Sequence, residues 1–408
     1  MSNRSKRNTE SRIATLHLEK GVNEMKRSDE RILVTHAGSL ARPAELMTML
    51  VAKDEGQPYD RNDLSTRIGA AVSEVVRKQI ECGVDIINDG EQGKSGFSRY
   101  TRERLSGVVE RPPAPGYRPT SIFARDEVDF PEYFHRGGRT AVGHHARVFF
   151  CTAPLKYIGH TAVQADIAHF KAALQSVKVE EAFLPAVAPG TMEHWMKNDY
   201  YPSDEAYVFA IADAMRAEYQ AIVDAGFILQ IDDPDLADAW QVNPHMSVAE
   251  YRKYAEMRID ALNHALRDLP PDRVRFHMCW GSYHGPHKYD IPLRDIVDII
   301  LKVRAGAYSI EASNPCHEHE WRVWQEIKFP EGKIFIPGVV GHYSDFIEHP
   351  QAIADRLVRF AKIMGRENVI AGTDCGLGTR VGHPKIAWAK FQAMAEGARL
   401  ATKELWGR

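Results

Sequence analysis

Residues 32–43 read ILVTHAGSLARP, and the turn after this opening run decides between two parallel α/β architectures. In a doubly wound sheet a first strand of this kind runs into a Gly-rich phosphate turn, G-x-G-x-x-G, ahead of its helix. THAGSLARP contains no such fingerprint. Outward from it, seven more short β-branched runs follow, at 84–88, 182–186, 227–232, 274–279, 307–311, 334–338 and 369–374. Between them lie amphipathic stretches long enough for helices, among them 64–81, 204–225 and 248–266. Eight runs alternating with helices predict an α/β fold, a (β/α)8 TIM barrel.

Two segments fall outside that rhythm. Residues 1–28 are polar and lack the apolar stretch of a signal peptide, so a loosely ordered N-terminal arm is expected. From about 107 to 150 the chain carries Pro112, Pro113, Pro115 and Pro119, then Phe130, Tyr133 and Phe134. This reads as a hairpin-like insertion after strand 2, serving either as packing on the barrel rim or as a lid or dimer arm. The expected organisation is the arm at 1–28 and a single barrel domain at 29–408 with the insertion inside it. The arm and the insertion would suit a homodimer.

Composition narrows the function classes. The 408 residues carry 52 Lys plus Arg against 55 Asp plus Glu, a net charge of −3, which supplies no positive field for nucleic acid. No run of 18 apolar residues is present, so no membrane-spanning helix is expected. The five cysteines, Cys82, Cys151, Cys279, Cys316 and Cys375, are odd in number and scattered, which fits a reducing cytoplasmic setting rather than a disulfide scaffold.

In a parallel barrel the C-terminal ends of the strands converge on one mouth, and reactive residues there share a site. The fifth run ends His277-Met278-Cys279, and strand alternation turns His277 and Cys279 the same way. The sixth ends at Glu311, and Cys375 follows the eighth. Two thiolates, an imidazole and a carboxylate match tetrahedral Zn²⁺. The set also suits thiol chemistry, because zinc lowers a thiol's pKa and a carboxylate ligand can give way to an incoming thiol.

The segments HMCWG, SIEASNP and GTDCGLGTR resemble the zinc-binding motifs in the C-terminal barrel of cobalamin-independent methionine synthases. THAGSLARP, GVDIINDGEQGKSGFSRY, LPAVAPGTMEHW and LQIDDPDLAD resemble that family's first four strand loops, in order. The resemblance implies zinc held by His277, Cys279, Glu311 and Cys375. It also places Ser39, Glu91 and Asp232 where the synthases bind the amino acid part of homocysteine, and Trp195 where they stack the folate ring. Carboxylates there would pair with a substrate ammonium group, unless they form salt bridges to Arg42 or Arg99. Trp195 serves equally as rim packing.

The departures matter as much. Full-length synthases carry a second barrel, for which this chain has no room. After strand 7 it reads GVVGHYS at 338–344, setting His342 one position away from the family's pattern, either as a general acid or as a rim residue. WGSYHGPHKYDIPLRD and NPCHEHEWRVW look like the branch that includes epoxyalkane:coenzyme M transferase. His284, His287, His317 and His319 in these stretches are candidate outer donors or acids, with a solvated rim the blander expectation and a second metal site the sharper one.

The function expected is zinc-dependent transfer of a methyl or other alkyl group from a small-molecule donor to a thiol held as a zinc thiolate. His342, Glu91 and Asp232 are the candidate catalytic residues. The alternatives are thiol addition to an epoxide, demethylation of a small methyl donor, and a zinc-holding binding protein without turnover.

Overall fold

A computed structural model describes residues 24–112, 121–135 and 148–407. Its strands are β1 (Ile86–Ile87), β2 (Leu105–Arg111), β3 (Val148–Tyr157), β4 (Glu181–Val187), β5 (Met196–Asn198), β6 (Ile228–Asp232), β7 (Val274–Met278), β8 (Ala307–Ile310), β9 (Ile334–Val340) and β10 (Gly372–Thr373). Seven of them form one parallel sheet in the order β1-β4-β6-β7-β8-β9-β10. Helices Arg61–Glu81, Asp204–Asp224 and Val248–Ala265 fall where apolar periodicity placed them. Their starts are set locally: Asp60 and Ser203 accept first-turn N–H groups, and Ser247 with Glu250 makes a reciprocal capping box.

The first of the eight strands is shorter than its sequence suggests. Residues 32–36 contribute one bridge, Val34 to Ala371, in parallel. Around it the Thr35 N–H donates to the Ala371 carbonyl at 2.8 Å, the Ala371 N–H to Leu33 at 2.8 Å, and the Ile86 N–H to Val34 at 3.1 Å. The Val34 N–H turns instead to the Asp85 carboxylate, at 2.9 Å. These bonds join β10 to β1 and close the TIM barrel.

The barrel floor is apolar. Leu33, Ile86, Phe183, Ile228, Ala307, Ile334, Ile336 and Ile370 pack there, and Met25 caps them from below. The end of the expected loose arm is therefore docked: Met25 is 8% exposed, Ser28 is fully buried and its hydroxyl donates to the Val369 carbonyl at 2.6 Å. Residues 1–23 lie outside the described part of the chain. Met25→Ala opens a cavity under the floor and is expected to cost about 2 kcal/mol, at the low end for such truncations because a terminal segment can resettle. A urea midpoint unchanged from wild type would mean that Met25 does not seal the barrel.

The insertion after the second barrel strand is built as expected of a hairpin. β2 pairs antiparallel with β3, which then takes β5 alongside in parallel. Buried Arg104, at the start of this sheet, donates to Asp166 at 2.7 Å and lies 3.3 Å from Glu218 on the barrel helices. Residues 121–135 cross to the far rim. There Arg125 donates to the carbonyls of Trp240, Asn243 and Met246, and Asp126 accepts the Tyr289 N–H at 3.0 Å. These contacts make 121–135 a fastened strap. Residues 113–120 and 136–147, where Pro113, Pro115 and Pro119 fall, lie outside the described residues. Among those described, no helix is long and apolar enough to cross a membrane.

Candidate active site

Register brings the strand ends to one level: Val187 pairs with Asp232, and Asp232 with His277. His277 and Cys279 point into the mouth, and Cys375 follows β10. The nitrogen and two sulfurs of His277, Cys279 and Cys375 lie within 4.8 Å of one another, with the sulfurs 3.7 Å apart. Ser309 on β8 sits 3.3 Å from His277 Nδ1 and fixes the ring. Cys279 donates its thiol proton to Cys375, which holds Cys279 well above and Cys375 well below the usual thiol range. Burial alone would lower His277, but the Cys375 sulfur and the Asp232 carboxylate raise it on balance.

Glu311 stands beside this triple rather than in it. Its Oε2 accepts the Trp280 N–H at 2.8 Å and its Oε1 the Asn314 amide at 2.9 Å. Its carboxylate groups with His342 and Asp374, again within 4.8 Å. Asp374 is saturated, accepting from the N–H groups of Ala312 and Ser313 and from the Ser313 hydroxyl at 2.5 Å. His342 is the opposite case. It is 1% exposed, so not a rim residue, and neither ring nitrogen has a hydrogen-bond partner among the described residues. Burial lowers its pKa.

The carboxylates of the second and fourth strand ends join the same mouth. Asp232 accepts the Gln230 amide at 2.6 Å, and burial pushes it up to about 7 against the pull of His277. Glu91 and Cys375 are close enough to push it further in the same direction. Glu91 is held in the left-handed region at φ 56°, a conformation that costs about 1 kcal/mol or more in a residue other than glycine. The salt bridge to Arg42 foreseen as an alternative exists at 3.5 Å, with Arg42 Nε also donating to the Glu91 carbonyl at 3.0 Å. Ser39 faces the Cys375 loop so closely that a Cβ on Gly376 or Gly378 would come within 2.8 Å of its side chain. Trp195, half-buried at the end of helix Pro189–Trp195, stacks on His194 at 4.9 Å, and no described contact ties it to the His277, Cys279 and Cys375 triple.

Several residues of the site escaped the sequence. Arg275 lies buried inside the barrel below the mouth, donating to Gln230 at 2.5 Å, Thr35 at 3.0 Å and the His36 carbonyl, with its guanidinium 3.6 Å over Phe183. The signal was available, since Arg275 shares an alternation face with His277 and Cys279. Asp374 lies next to Cys375 within GTDCGLGTR, and nothing in that spacing marks its part in the site. The His-rich loops divide: His284 and His319 are exposed, as a solvated rim has them, whereas His287 and His317 are only 7% and 4% exposed.

The family described as Cobalamin-independent synthase, Catalytic domain, matches residues 152–399, more than half of the chain. The chain belongs to the cobalamin-independent methionine synthase family. Methionine synthases of Sulfolobus acidocaldarius and Thermococcus kodakarensis are 24% and 21% identical to it, over 93% and 90% of this chain and 95% and 93% of theirs. Both are matched along nearly their whole length. Among solved structures, the B12-independent methionine synthase of Shewanella sp. W3-18-1 superposes with a TM-score of 0.69 at 20% identity, covering 93% of this chain and all of that one. The putative vitamin-B12 independent methionine synthase of Listeria monocytogenes gives 0.62 at 18%, over 95% of this chain and all of that one. These likenesses agree with the synthase barrel fold described above.

Proposed function

We propose that this methyltransferase-family chain is a zinc enzyme that methylates the thiol of homocysteine or a closely similar small amino thiol. One observation carries the reading: two cysteine sulfurs and an imidazole converge at a barrel mouth with carboxylates around them. The donor set fits the ion. Sulfurs about 2.3 Å from a tetrahedral zinc stand about 3.8 Å apart, and those of Cys279 and Cys375 are 3.7 Å apart. His277, Cys279 and Cys375 would hold zinc, with Glu311 the exchangeable fourth ligand, kept in reach by Trp280 and Asn314. Bound there, zinc supplies the positive charge that lets a thiol ionise near neutral pH.

The chain's own residues do the rest. Asp232 and Glu91 would accept the substrate ammonium group and Ser39 its carboxylate end, fixing the thiol for in-line attack on the methyl carbon. Trp195 offers an aromatic face at the rim for a folate-like donor. His342, with two unpartnered nitrogens, would give a proton to the departing group.

Calorimetric titration of the zinc-loaded protein with homocysteine and with coenzyme M, following proton release, tests the reading. Zinc-dependent binding of homocysteine with proton release is expected; a response to coenzyme M alone would move the chain to epoxide chemistry, and silence to both would remove the thiol acceptors proposed. For His342 the expectation is a pH profile. A lowered pKa means the acid form is lost on the acid side of pH 6.5, so turnover falls as pH rises through that region. His342→Gln should flatten that limb, and an unchanged limb in this variant would assign the proton to another group.

A further inference from the structure

Behind Glu311 lies a second cluster that this function does not use. His287 Nδ1 is 2.6 Å and His317 Nε2 3.0 Å from the same oxygen of Asp290, and all three donor atoms lie within 4.8 Å of one another. The outer nitrogens are held from behind: His317 Nδ1 is 2.9 Å from Glu320, and His287 Nε2 3.4 Å from the Tyr283 carbonyl. Metal-binding histidines are oriented in this way, with the far nitrogen on a carboxylate or carbonyl and the near one aimed at the ion.

Ring stacking fixes both imidazole planes, His317 on Trp280 at 3.8 Å and His287 on Tyr283 at 3.9 Å. His287 itself is held at φ 52°, in the left-handed region that few residues other than glycine adopt, of the kind that collects at ligand clamps. Asp290 and Glu320 bring two buried carboxylates together, and no Lys or Arg among the described residues is in ion-pair reach of either. The charge is balanced either by two protonated imidazoles or by one divalent cation, which would supply it in full. Donors about 2.1 Å from a shared ion stand roughly 3 to 3.5 Å apart, so the His317–Asp290 spacing of 3.0 Å already fits, and an ion would enter as Asp290 draws back from His287, now 2.6 Å away.

We propose that His287, Asp290 and His317 form a second binding site, for a divalent first-row transition ion held by nitrogen and oxygen alone. Two imidazoles and one carboxylate suit zinc, iron(II) or manganese(II) rather than calcium or magnesium. The ion would tie the loop after β7 to the loop after β8. It would also fix Trp280, whose ring covers His317 while its backbone N–H donates to Glu311, so that the ion positions the exchangeable carboxylate of the sulfur site without touching substrate.

The test is metal stoichiometry of the full chain after stripping and reloading with zinc. One ion at each cluster is expected in wild type, with Asp290→Asn losing one and the double variant Cys279→Ser, Cys375→Ser keeping one. Cobalt loaded into that double variant should show weak d–d absorption with no sulfur charge-transfer band. A single ion in wild type, lost when the cysteines are replaced, overturns the proposal and leaves two protonated imidazoles as the balancing charge. If Asp290→Asn does not fold, the double variant decides alone. A single ion kept by the double variant and lost from Asp290→Asn would instead uphold this site and sink the sulfur site proposed above.

Discussion

Cys279→Ser is expected to empty the sulfur site and abolish homocysteine-linked proton release, while leaving the fold intact. The side chain is buried and shares a proton with Cys375, so serine fits the space but offers a donor that zinc prefers far less. Losing an outer partner of a metal ligand costs about 10- to 100-fold in affinity, and losing a ligand should exceed that. Because an ion at the proposed site would supply several kcal/mol of charge stabilisation, methyl transfer should drop by at least about a thousandfold. Zinc analysis, calorimetry and a melting curve separate the outcomes. Cys316→Ser is the control, since Cys316 is exposed and outside the triple. Zinc retained at wild-type affinity in Cys279→Ser would refute the assignment.

Arg275→Met should carry the largest stability cost of any single change in the barrel interior, about 3 to 5 kcal/mol. Burial lowers the Arg275 guanidinium to about 9, and it stays charged at neutral pH because Gln230, Thr35, the His36 carbonyl and the Phe183 ring surround it and Asp232 and Glu181 attract it. Methionine fills the volume but strands those acceptors and leaves Asp232 above it with His277 but without the guanidinium. Arg275→Lys should recover only part, since an ammonium cannot copy the fork of donors. The urea midpoint at constant slope measures both. A shift under about 1 kcal/mol in Arg275→Met would mean that the interior tolerates the loss of its charge.

The barrel was legible because its strands are buried on both faces and stand out as apolar runs between helices with period 3.6. Six of the eight runs lie at or overlap β1, β4, β6, β7, β8 and β9. The first, second and last runs read as full strands yet keep a bridge at Val34, a two-residue strand at Ile86–Ile87, and a bridge at Val369 with a two-residue strand at Gly372–Thr373, because side chains take over ladder bonds, as Asp85 does for Val34. Alternation brought His277 and Cys279 together, and chain order brought Cys375. Glu311 was placed with them by its position at a strand end; which of two adjacent groups its carboxylate joins depends on the rotamer held by Trp280 and Asn314, which no spacing encodes. For the same reason His287 and His317 looked like a wet rim. Their burial comes from Trp280, Tyr283 and a strap contributed from residues 121–135, far away in sequence.

The thin seam at Val34 has a kinetic consequence. Its partner Ala371 lies near the far end of the chain, so the contact that shuts the barrel spans most of the sequence and cannot form until nearly all of it has left the ribosome. During synthesis the first strand waits with its edge open, and the loop entropy of that closure is met last. In the native state the same bonds are the natural place for opening, and the amides of Thr35 and Ala371 should exchange with solvent ahead of those in β6 and β7, which are paired on both sides.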